Sequence, residues 1–246
     1  MSYIAVTALS HAGLVRDHNE DSLVVGPWTL SATETETPQT LVFPLGTPLV
    51  VAVADGLGGH PGGELASALV VRQLAQVGPL LDREETIREA LGACNRAVYA
   101  AAARDPELTT MGTTVAGVVI TPDRATTFNV GDSRVYVVVA HQLRQVSVDD
   151  SPPLTVGQRS TAIVTQTLGG HAEFTAVDPH VASAPLSEDA RYLVCTDGLT
   201  DLVRPEMLGD ILTKHEDGRA AFELWKAAMA AGGTDNVTLA VVRLGT

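Results

Sequence analysis

Eight short runs of β-branched and other apolar residues punctuate this sequence, each bounded by turn-forming residues. They fall near 3–9, 22–26, 49–54, 113–120, 125–131, 134–140, 192–196 and 237–244, the last reading VTLAVVRL. Runs of this length and composition form strands. Many are apolar at consecutive positions, which calls for a sheet covered on both faces. The cover is at hand. Residues 63–78 and 83–103 are rich in Ala and Leu, free of internal proline and periodic at the helical repeat. In the second, Ile87, Leu91, Cys94, Val98 and Ala102 make one apolar stripe. Two more helices are expected near 205–214 and 218–231. Helices set between antiparallel strands predict an α+β layered domain and not an alternating parallel fold.

A chain of 246 residues is long enough for one full core, and no interdomain linker interrupts it, so a single domain over 1–246 is expected. Residues 27–48 hold Thr, Glu and Pro at loop-like density and read as a surface insertion. A second proline-rich loop starts at Asp149. Sixteen Lys and Arg stand against 29 Asp and Glu, a net charge of −13 with no dense basic run. That balance excludes nucleic acid as the main partner and suits a protein that gathers divalent cations. Cys94 and Cys195 lie far apart and read as buried, reduced thiols. The start MSYIAVTALS lacks the basic and apolar regions of a secretory leader. The uncharged stretch near 37–54 is broken by Pro38, Pro44 and Pro48, so no membrane span is expected. A cytoplasmic monomer is the expectation.

Asp55 carries the first chemical signal. It follows an apolar strand and precedes a glycine-rich turn, in VADGLGGH. A carboxylate at a buried strand end is costly unless paired or bound to metal. Taken alone, Asp-Gly is more often an ordinary strand-to-helix turn. The pattern recurs, however. Asp132 ends a strand in NVGDSR, Asp197 follows one in YLVCTDGLTD, and Asp235 precedes one in GGTDNVT. Four such acids can converge at one end of a sheet stack, and oxygen-only ligands suit Mg²⁺ or Mn²⁺. His60, His171 and His180 lack zinc-ligand spacing and read as surface or turn residues. In HAGLVRDHNEDS, Arg16 sits near Asn19, Glu20 and Asp21. That arginine is either half of a surface ion pair or a phosphate clamp beside a metal site.

The chain resembles the metal-dependent serine/threonine protein phosphatases of the PPM (type 2C) family, in their bacterial form. The resemblance rests on RDHNEDS (16–22), VADGLGGHPGGELAS (53–67), MGTT (111–114), NVGDSR (129–134), TQTLGG (165–170), LVCTDGLTD (193–201) and GGTDNVT (232–238). These seven blocks stand in the family's order and cover about residues 3–244. The resemblance implies a four-layer αββα sandwich, two antiparallel sheets flanked by helix pairs. It implies two Mn²⁺ or Mg²⁺ ions bridged by Asp55, with Asp197 and Asp235 on the first and the Gly56 carbonyl on the second. Glu20 and Asp21 would hold metal-bound waters, and Asp132 with Asp197 would hold a third, weaker ion. Arg16 would grip the substrate phosphate. Hydroxide shared by the two ions would attack phosphorus in line, with no phosphoenzyme.

Three departures qualify the resemblance. Leu57 stands where eukaryotic relatives often carry His, so a protein general acid is absent there. The flap, 149–165, looks short, with only residues 152–164 between the DDS turn and TQTLGG; Arg159 within it reads as solvated. The 27–48 insertion reads as a tolerated loop. The resemblance implies an enzyme that dephosphorylates phosphoserine and phosphothreonine proteins and so opposes a protein kinase. A pseudophosphatase that only binds phosphoproteins is the alternative. A small-molecule phosphomonoesterase on the same scaffold is a third.

Overall fold

The computed structural model describes residues 2–58, 61–153, 161, 163–187 and 189–245. The chain runs through β1 (Tyr3–His11), β2 (Ser22–Val25), β3 (Trp28–Ser31), β4 (Gln39–Pro44) and β5 (Leu49–Ala54). Helices α1 (Gly63–Val77) and α2 (Glu84–Ala102) follow. The middle is β-rich: β6 (Gly112–Thr113), β7 (Val115–Ile120), β8 (Arg124–Val130), β9 (Arg134–Val139) and β10 (Gln142–Gln145). Next come β11 (Leu168–Gly169), β12 (His180–Pro185) and β13 (Arg191–Cys195). A short α3 (Asp197–Thr200) leads to α4 (Pro205–Lys214), α5 (Asp217–Ala230) and β14 (Val237–Gly245).

These strands form two six-stranded antiparallel sheets. Sheet one has the order β10-β9-β13-β14-β1-β4, and sheet two the order β12-β8-β7-β5-β2-β3; β6 and β11 pair separately. The consecutive apolar runs are explained by where alternate side chains go. In β5, Leu49, Val51 and Val53 join the core between the sheets. Val50, Ala52 and Ala54 join the core beneath α1 and α2. In β13, Tyr192 and Val194 face sheet two, while Leu193 and Cys195 pack with α4 and α5. A strand buried on both faces has no polar face to show. The layers are therefore helix pair, sheet two, sheet one and helix pair, the expected αββα sandwich.

The four long helices lie within a residue of their expected bounds, and the whole Ile87–Ala102 stripe is buried. The 27–48 segment is a correction. It is no loop: β3 pairs with β2 and β4 with β1, giving each sheet an edge strand. Edge strands leave one ladder and one face to solvent, so they tolerate Thr, Gln and a terminal Pro. Trp28 and Val42 are accordingly 63% and 62% exposed. The run at 113–120 is also two strands, divided at Thr114.

A buried ion pair fastens α5 to sheet one. Arg191 Nη2 lies 2.7 Å from Asp217 Oδ1, with side chains 11% and 10% exposed. Arg243 Nε donates to Asp217 Oδ2 at 2.9 Å. Asp217→Ala would leave the Arg191 charge buried without its partner, an expected loss of about 3–5 kcal/mol. Denaturant titration measures it, and a change below about 1 kcal/mol would remove the pair's structural role.

Candidate active site

Asp55 follows β5, Asp132 follows β8, Asp197 follows β13, and Asp235 comes just before β14. Two of these strands belong to each sheet. The four acids therefore meet where the sandwich opens at one end. They line a single cleft of about 680 Å³ together with Arg16, Glu20, Gly56, Leu57, Thr114 and His171. Asp21 does not line the cleft but lies fully buried beside these acids. Thr196 Oγ1 donates to its Oδ2 at 2.9 Å, and among the described residues its Oδ1 has no hydrogen-bond partner.

The acids are short of positive charge. Burial pushes the Asp55 carboxyl well above its ordinary value, and Asp21 and Asp197 push it further. Burial also raises Asp197 to about 6, Asp132 to about 7 and Asp21 to about 7, with neighbouring acids adding in each case. Among the described residues, Arg16 is the one Lys or Arg lining the cleft. Its Nη2 donates to Asp235 Oδ2 at 2.7 Å, and that bond is the main cause of its raised pKa. The side chain is 44% exposed, so it is within reach of a ligand from solvent.

Local packing explains the sequence blocks. A Cβ at Gly56 would come within 2.6 Å of the Gly63 backbone and 2.9 Å of the Glu20 carbonyl. Only glycine fits where the chain after β5 passes between α1 and the Arg16 loop. In MGTT, Thr113 Oγ1 donates to the Asp55 carbonyl at 2.7 Å, and Thr114 N–H donates to the same oxygen at 2.9 Å. Thr114 Oγ1 also meets Ser133 Oγ at 2.8 Å, tying the Asp55 turn to the Asp132 turn. Asn236 holds the Arg16 loop: its Nδ2 donates to Ala12 O and His18 O, and its Oδ1 accepts from Glu20 N–H.

The structure brings Arg16, Glu20, Asp55, Gly56, Asp132, Asp197 and Asp235 to one cleft and puts Asp21 against its buried side. The sequence reading did not single out Asn236, Thr113 or Thr114 as scaffold, although all three stood inside the quoted blocks. It also passed over His18 and Glu64, whose ligand atoms and that of Glu20 lie within 4.8 Å of one another. His171 lines the cleft, and His180 bonds to Asp150. His60 and residues 154–160 and 162 of the flap, Arg159 among them, fall outside the described residues.

The protein phosphatase 2C profile matches residues 42–235. The chain belongs to the protein phosphatase 2C family. It is 31% identical to the serine/threonine protein phosphatase PstP of Mycobacterium tuberculosis over 249 residues, 95% of this chain and 44% of that one. The chain thus spans less than half the length of that relative. It is 32% identical to the serine/threonine phosphatase stp of Listeria monocytogenes over 213 residues, 78% of this chain and 83% of that one. Among solved structures, it resembles the catalytic domain of PstP in complex with two manganese ions. The TM-score is 0.80 at 30% identity, covering 100% of both chains.

The donor set of this family member fits hard divalent cations. It consists of carboxylates and the Gly56 carbonyl, in a cleft whose acids have Arg16 as the one lining cation among the described residues. Thiol chemistry does not fit. Cys94 and Cys195 are buried, and burial pushes both up to about 12, which keeps them as unreactive thiols.

Proposed function

We propose that this chain is a metal-dependent protein phosphatase acting on phosphoserine and phosphothreonine, with two Mn²⁺ or Mg²⁺ ions in the cleft. The observation that carries this is the meeting in one cleft of four acids from two sheets with one half-exposed arginine, which pairs with only one of them. Asp55, Asp197, Asp235 and the Gly56 carbonyl would hold the two ions, and Asp132 with Asp197 a third. Glu20 and Asp21 would orient bound water. Bound there, the ions would activate water as the nucleophile and neutralise charge on the phosphoryl group.

The chain's own groups account for the rest. Arg16 moves from Asp235 to the phosphate oxygens and orients the ester with its planar, two-pronged guanidinium. Asn236 keeps the Arg16 loop against β14, so the guanidinium arrives in a fixed place. Leu57 at the cleft has no proton to give, so no side chain at that position protonates the leaving alkoxide. The substrates would be phosphoproteins of a serine/threonine kinase pathway in a bacterial cytoplasm, met by a single-domain monomer. Among the described residues, no helix is long and apolar enough to cross a membrane.

The test is hydrolysis of a phosphothreonine peptide by metal-stripped protein, with and without Mn²⁺, beside Asp197→Ala. Turnover that needs Mn²⁺ and is lost in the variant supports the proposal. Phosphopeptide binding without turnover would favour a phosphoprotein-binding role instead. Arg16→Ala is expected to raise KM for the peptide by about tenfold and to lower kcat less, since a phosphate clamp acts in the ground state too. Unchanged steady-state constants would remove Arg16 from the phosphate site.

A further inference from the structure

Away from the acids of the cleft, one carboxylate gathers donors from three separate segments. Asp150 Oδ2 accepts from Gly131 N–H and from Gln166 Nε2, each at 2.9 Å. Its Oδ1 lies 2.8 Å from His180 Nε2. The backbone repeats the same ties: Asp150 N–H donates to Gly131 O at 3.0 Å, and Thr165 N–H donates to Asp150 O at 2.7 Å. Gln166 carries the connection onward, accepting from Asp178 N–H at 2.5 Å and donating to Asp178 O at 3.2 Å. The Asp150 side chain is only 12% exposed. A shielded carboxylate with three donors is a strong, directional anchor.

Two of the anchored segments border the cleft. Gly131 precedes Asp132. Gln166 stands in the stretch whose Val164, Thr167, Gly170 and His171 line the cleft. Within that stretch, β11 pairs with β6, and Gly170 N–H donates to Met111 O at 2.9 Å. The 164–171 wall is therefore fixed at one end beside the Asp55 turn and at the other by Asp150.

We propose that Asp150 is a positioning residue for protein substrates, setting the 164–171 wall at a fixed spacing from the Asp132 turn through Gln166 and His180. This rests on the phosphatase reading of the cleft. A small phosphate ester needs only Arg16 and the acids, whereas a peptide flanking the phosphoresidue must also lie along the wall. Loss of the anchor should then fall on peptide recognition and spare the chemistry.

The experiment compares a phosphothreonine peptide with para-nitrophenyl phosphate as substrates in saturating Mn²⁺. Asp150→Ala is expected to raise the peptide KM about tenfold, the scale of lost hydrogen bonds to a charged acceptor. Its kcat on the small ester should stay within about twofold. Asp150→Asn, which keeps one acceptor oxygen, should recover part of the peptide KM. Gln166→Ala removes the bridge from the other side and carries the same test if Asp150→Ala does not fold. Equal losses on both substrates, or no loss on either, would overturn the proposal. Hydrogen exchange gives a readout that needs no turnover: amides of 165–170 and Gly131 should exchange faster in either variant. Unchanged protection there would overturn the anchor itself, whereas wild-type protein that hydrolyses neither substrate would overturn the phosphatase reading alone.

Discussion

Asp55→Asn is expected to abolish turnover while raising the melting temperature of the metal-free protein. The two effects have one cause. Asp55 is half-buried at the cleft beside Asp21 and Asp197, and desolvation with like charge lifts its carboxyl well above the ordinary range. In chelator, folding must either desolvate this charge or take up a proton, and both are unfavourable near neutral pH. Asparagine keeps the shape and removes the ionisation, so the stripped variant should melt higher than the stripped wild type. Adding Mn²⁺ should reverse the order, since wild type gains binding free energy that the variant largely forgoes. Turnover should fall on the order of 10³-fold or more, the scale of losing a group central to the chemistry. Thermal melts with and without Mn²⁺, beside phosphopeptide hydrolysis, check both halves. Activity within tenfold of wild type would remove Asp55 from the centre of the mechanism. A lower melting temperature in chelator would show that the acid cluster is not under electrostatic strain.

The second large effect is a reversal in how stability depends on pH. In the metal-free fold, burial lifts Asp197 to about 6 and Asp132 and Asp21 to about 7. The unfolded chain holds these protons only below about pH 4. A group raised in this way stabilises the fold fully below the unfolded value, and the contribution is lost as pH rises through the folded value. The metal-free protein should therefore lose stability steadily between about pH 4 and 7, by up to about 1.4 kcal/mol per pH unit for each such group. With Mn²⁺ present the slope changes sign, because cations bind the deprotonated carboxylates. Melting temperatures at several pH values, in chelator and in Mn²⁺, check this. Parallel curves in the two conditions would contradict it.

What could be read from the sequence follows from burial. Strands such as β5 and β13 announce themselves because both faces are covered, so every position is apolar. The α2 stripe from Ile87 to Ala102 announces itself through its spacing. Edge strands do not. β3, β4 and β12 expose much of their length, so Trp28, Gln39 and Ser183 carry no periodic signal and look like loop residues. The cleft acids were legible because each borders an apolar run beside a flexible or small residue. Asn236, Thr114 and Asp150 were not, because their roles are set by partners far away in sequence. Asn236 works on Ala12 and His18, Thr114 on Ser133, and Asp150 on His180. Spacing along a chain cannot register a hydrogen bond across more than two hundred residues, as between Asn236 and Ala12.

The place of β14 in sheet one also bears on how the protein is made. β14 lies between β13 and β1, and without it β1–β4 and β13–β9–β10 are two ladders with no bond between them. Contacts of such long range form late, because the intervening chain must first be closed into a loop. Asp235 stands directly ahead of β14, and Asn236, which fixes the Arg16 loop, stands beside it. Until residues 237–245 have left the ribosome, Asp235 has no strand to hold it beside the other cleft acids, and the arginine loop is untethered. The cleft should therefore assemble in one step, and only once β14 has paired with both β13 and β1.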